Sequence, residues 1–66
     1  MKKNLFNAKI AEKGIKKQDL AKELGMLPQT FSVKLKSGVW SMEEVKQIKK
    51  ILDLTDEEVS KIFLTD

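Results

Sequence analysis

A chain of 66 residues carrying thirteen lysines, ten acids, no histidine and no cysteine is one small domain, removing only about 60% of its extended surface from water on folding. Without thiols or imidazoles it has neither a disulfide staple nor the usual zinc constellations, so an apolar core must do the holding. Its net charge is +3 and no apolar run exceeds the three residues Ile62, Phe63 and Leu64, which excludes a membrane-spanning helix or signal-peptide core and makes a cytoplasmic protein the expectation.

The first helix is expected over about Asn4 to Lys13, with Asn4 as its cap, Phe6 and Ile10 on the buried face and Gly14 as its stop. The second begins near Lys16 or Lys17. Neither is a good N-cap, and two cations sit poorly at the positive end of a helix dipole unless an anion docks there. Leu20, Ala21 and Leu24 share one face of this helix, and Gly25 stands where it must stop, in the left-handed conformation that side chains resist. Ala21 is small enough to let a following helix cross close by. That third helix spans about Pro28 to Lys36, closed by Ser37 and Gly38. Pro28 fits its first turn, while Phe31 and Leu35 form the stripe laid against the second helix.

Ser41-Met42-Glu43-Glu44 spells a capping box, with Trp40 and Val45 as its hydrophobic staple. It opens a fourth helix to about Leu52 that buries Val45, Ile48 and Leu52, with Ile51 beside them. Thr55-Asp56-Glu57-Glu58 repeats the box, stapled by Leu54 and Val59, and opens a fifth helix over about Asp56 to Phe63. No segment alternates like a strand. The expected fold is all-α, a compact bundle of about five short helices with a central helix-turn-helix, as a single domain over residues 1–66.

Two short helices joined at a glycine between Lys17 and Lys36 have the spacing of a DNA-reading helix-turn-helix, although any two-helix hairpin wants the same glycine and the same inward apolar residues. Charge favours the first alternative. Residues 1–37 hold nine lysines against three acids, and residues 38–66 hold four against seven, so one end suits a polyanion and the other repels it. Every basic residue is lysine, which makes a basic contact to guanine less rigidly than arginine does.

From Phe6 to Phe63 the chain resembles the lambda-repressor-like (Cro/C1, XRE) helix-turn-helix domains, most of all the short repressor-type proteins of phages in Gram-positive bacteria. The residues that carry the resemblance are Phe6, Ile10, Glu12 and Gly14, then Leu20-Ala21 and Leu24-Gly25, Gln29-Thr30-Phe31-Ser32, Lys34-Leu35, Gly38 and Ile62-Phe63. It implies a transcriptional regulator, repressor or Cro-like, associated with the nucleoid of a host cell, with the helix from Pro28 to Lys36 in the major groove. Three departures stand out. Lys16 and Lys17 occupy positions where such domains usually carry Ser or Thr followed by Gln. Leu27 replaces a small hydroxyl cap, and Val33 replaces a polar or basic reader.

With the third helix in the groove, Gln29, Ser32 and Val33 face the base edges, and Leu27 and Pro28 stand at the entry. Gln29 can pair in bidentate fashion with adenine, a contact worth roughly 1–3 kcal/mol of discrimination. Val33 and Leu27 either pack on thymine methyls or belong to the edge of the bundle. Lys16, Lys17, Thr30, Lys34, Lys36 and Ser37 are the expected sugar-phosphate contacts, which position without carrying sequence information.

Val59, Ile62, Phe63 and Leu64 offer a candidate surface for a homodimer on two half-sites; the alternative is that Val59 and Ile62 are core. A rival reading is a helix-turn-helix-shaped protein-interaction module, an anti-repressor or polymerase-associated factor, favoured by Leu27, Val33 and Met26. No Ser-Lys or paired-carboxylate arrangement and no glycine-rich phosphate loop is present, so neither catalysis, a small-molecule substrate, a metal nor another cofactor is expected. The acid pairs Glu43-Glu44 and Glu57-Glu58 are explained by capping and helix dipoles.

Overall fold

Each of the five helices in the computed structural model, which describes residues 1–64, sends at least one apolar side chain into a single core. The helices are α1 (Lys3–Glu12), α2 (Lys17–Glu23), α3 (Pro28–Ser37), α4 (Met42–Ile51) and α5 (Asp56–Phe63), and no strand occurs among the described residues. The all-α bundle expected from the apolar spacing is the fold observed. Phe6 and Ile10 enter the core from α1, Leu20 and Ala21 from α2, Phe31 from α3, Ile48 from α4 and Ile62 from α5. Leu52 and Leu54 close it from the turn between α4 and α5.

All four aromatic side chains of the chain meet on one side of this core. Trp40, in the loop between α3 and α4, lies 5.6 Å from the Phe31 ring, 5.9 Å from Phe6 and 6.5 Å from Phe63, in edge-on geometry each time. Such contacts contribute about 0.5–1.5 kcal/mol beyond the area they bury. Trp40 was expected only to staple the start of α4; it also packs against rings of α1, α3 and α5, while Phe6 and Phe63 meet directly at 5.7 Å. Its indole N–H also donates to the Met1 thioether at 3.0 Å.

α4 and α5 start as their sequences spell. Ser41 Oγ accepts from the Glu44 N–H at 3.1 Å while the Glu44 carboxylate accepts from the Ser41 N–H at 2.8 Å, and Thr55 and Glu58 repeat the exchange at 3.1 and 2.9 Å. Both capping glutamates also hold a lysine of an earlier helix. Lys34 of α3 binds Glu44, and Lys9 of α1 binds Glu58. The Lys34 ammonium and the Ser41 N–H together hold the Glu44 carboxyl below its ordinary range. Lys9 and the Thr55 N–H lower that of Glu58 to about 2, and the Lys9 ammonium is raised in return by Glu58 and Glu12.

Two expectations are corrected. Asn4 does not cap α1: it sits inside the helix, which starts at Lys3 behind Lys2, and Lys2 makes no side-chain cap. The start is fixed by a tertiary bond instead, the Lys2 N–H donating to the Ile62 carbonyl at 2.7 Å. Ile62 does not offer a pairing surface either, being 1% exposed. A short terminal helix must turn its apolar stripe inward to be held at all, so Val59 and Phe63 also pack on the core and only Leu64 stands out, at 76% exposure.

Candidate nucleic-acid interface

The turn between α2 and α3 is built around Gly25, whose φ of +73° is the left-handed conformation. The Gly25 N–H donates to the Lys22 carbonyl at 3.0 Å and the Met26 N–H to the Ala21 carbonyl at 2.9 Å, satisfying two carbonyls that the end of α2 would leave open. The chain then extends through Leu27 and re-enters helix at Pro28. Leu20 and Ala21 are fully buried and Phe31 is 2% exposed. A methyl side chain at position 21 thus lets α3 seat on α2, and Phe31 pins it to Trp40 from beneath.

With Phe31 inward, the helical period of 3.6 residues turns Gln29, Val33 and Lys36 outward as a crest at i, i+4 and i+7, with Ser32 on its shoulder. Gln29, Thr30, Ser32 and Lys36 are all exposed, as are Pro28 and the two cationic residues before α2, Lys16 and Lys17. Leu27 and Val33 are 69% and 65% exposed. Neither side chain is part of the core.

Beside the crest runs an open groove of about 680 Å³, with Lys16, Lys17 and Gln18 of the α2 start on one wall, Pro28, Ser32 and Lys36 on the other, and Phe31 and Leu35 beneath. Three lysines therefore border one groove, with no acid among its lining residues. Gln18 belongs to this wall as well, an amide directly after the lysine pair that was not among the expected contacts. A second depression of about 520 Å³, sharing Gln18 and Pro28 with the first, is lined by Asp19 together with Lys22, so the unbalanced positive charge lies on the Lys36 side.

Two of the expected phosphate contacts have partners within the chain. Lys34 is half-buried, its ammonium donating to Glu44 Oε1 at 3.0 Å and lying 2.8 Å from Oε2. It ties α3 to the start of α4 rather than facing solvent as a free cation. The Ser37 hydroxyl donates to the Lys34 carbonyl at 3.2 Å and accepts from the Val39 N–H at 3.3 Å, closing the end of α3.

No helix among the described residues is long and apolar enough to cross a membrane. No protein-family model, no curated protein and no solved structure matches this chain.

Proposed function

We propose that this chain binds double-stranded DNA sequence-specifically, as a transcriptional regulator of the repressor or Cro-like kind, with α3 lying in the major groove. The observation that carries the reading is the exposed crest of Gln29, Val33 and Lys36 beside a groove walled by Lys16 and Lys17. A helix held from beneath by Phe31 and bare on its outer face has the width that the major groove admits. Gln29 is the base reader, its amide matching the N6 and N7 of adenine, and Ser32 is its more tolerant neighbour. Lys16, Lys17 and Lys36 hold the phosphates, with Thr30 on the flank.

Selection from random duplexes at a stated salt concentration tests this. An enriched sequence is expected, with apparent affinity falling on a log–log plot by about 0.9 per neutralised phosphate. Gln29→Ala should relax preference at one base pair per half-site, while Lys17→Ala should weaken all sequences alike. A palindrome among the winners signals two copies binding together; a single half-site signals one. No enrichment and a flat salt response would overturn the reading. The exposure of Leu27 and Val33, 69% and 65%, favours a second reading, a module docking another protein. Co-precipitation of a partner from nuclease-treated extract, without duplex binding, would establish that one instead.

A further inference from the structure

Val33 is an apolar side chain at the centre of a crest that is otherwise polar or charged, one turn after Gln29 and one turn before Lys36. It contributes nothing to the core, being 65% exposed, and a β-branched residue is a slightly poor helix former. Neither packing nor propensity accounts for it there. The major groove presents one apolar group, the C5-methyl of thymine. We propose that Val33 is a specificity residue that packs on a thymine methyl close to the base read by Gln29, giving this protein a preference for that thymine over cytosine through contact with the methyl group.

The inference rests on the proposed duplex binding and deepens it. Four residues of α-helix advance about 6 Å, roughly two base-pair steps of 3.4 Å, so the thymine lies within about two steps of the base under Gln29. Cations at Lys16, Lys17 and Lys36 line the adjoining groove, which makes a polyanion the occupant that matches this face in charge.

The test uses the full chain and the duplex enriched from a random library. Each thymine is replaced in turn by deoxyuridine, which removes the C5-methyl and leaves every hydrogen-bonding group in place. At one position the parent protein should lose about four-fold in affinity, the factor that burial of one methyl-sized group corresponds to. Val33→Ala should lose a similar factor on the unmodified duplex and become indifferent to deoxyuridine at that position. A thermal melt of Val33→Ala matching the parent shows that the fold is not what changed. Salt-dependent binding with no sensitive thymine, or with Val33→Ala as sensitive as the parent at each one, overturns the assignment and leaves duplex recognition standing. Unchanged affinity of Val33→Ala for the duplex also overturns it and transfers the residue to a protein contact. Absence of any enriched duplex removes the functional reading itself, and the assignment with it.

Discussion

The helices of the first half of the chain start on Lys2, Lys16 and Leu27, none of which caps through its side chain, whereas α4 and α5 each start in a complete capping box. The first turns of α1 and α3 hold no acid and that of α2 only Asp19, while α4 has two and α5 three. A well-capped helix start gathers carboxylates, and carboxylates would repel a phosphate backbone. The two halves therefore differ: the second caps its own helices and is acidic, while the first is basic, lacks side-chain caps and is tied to the second. The tie is visible in Glu44 and Glu58, which serve their own helices and also grip Lys34 of α3 and Lys9 of α1.

The severest way to break this division is Phe31→Ala. Phe31 is the one core side chain of α3, and losing it should cost about 3–5 kcal/mol, a large part of what so small a domain possesses. A urea melt that moves by less than a third of that would mean α3 is held by its flanks. Removing caps comes next: Ser41→Ala and Thr55→Ala should each lower stability by about 1 kcal/mol in the same melts. Adding a cap to the other half should do the reverse. Lys16→Ser is expected to gain up to about 1 kcal/mol while weakening duplex binding and lowering its salt slope by about 0.9. Stability gained with affinity unchanged would show that Lys16 touches no phosphate.

Asp53 marks a smaller flaw within the capped half. It closes α4 at φ +52°, with its N–H donating to Lys50 and that of Leu54 to Lys49, the arrangement that Gly25 gives α2. Asp53→Gly should raise the melting temperature, by an amount corresponding to about 0.5–1 kcal/mol. The mildest change concerns acid. The Glu58 carboxyl ionises below its ordinary 4.5, at about 2, chiefly because Lys9 donates to it. The folded state thus favours the ionised form, so this contribution is complete above pH 4.5 and is lost as pH falls toward 2. Glu58→Gln keeps a side chain able to complete the box and should flatten that part of the melting profile. Superimposable profiles would mean that the Lys9 contact adds nothing.

The same division governed what the sequence made legible. α5 runs from Asp56 to Phe63 as expected, and α4 starts at Met42, because a hydroxyl followed three residues later by a glutamate announces a helix locally. α1 was placed one residue late because its start depends on the Ile62 carbonyl, far along the chain. The inward stripe of α3 followed from the spacing of Phe31 and Leu35, whereas the exposure of Val33, left open in the sequence, is given by the packed structure. The pairing of Lys34 with Glu44 could not be foreseen in that way, because its partner is ten residues on and meets it only after α3 and α4 have packed. Ile62 stood between two readings, pairing surface and core, and its burial decides for the core.

Because Trp40 is the chain's only indole, with no tyrosine present, and rests against Phe31 under the crest, the molecule carries its own optical gauge. Excited selectively, that one fluorophore reports through emission maximum and quenching whether α3 is seated, and it does so without a label on the face that would meet a duplex.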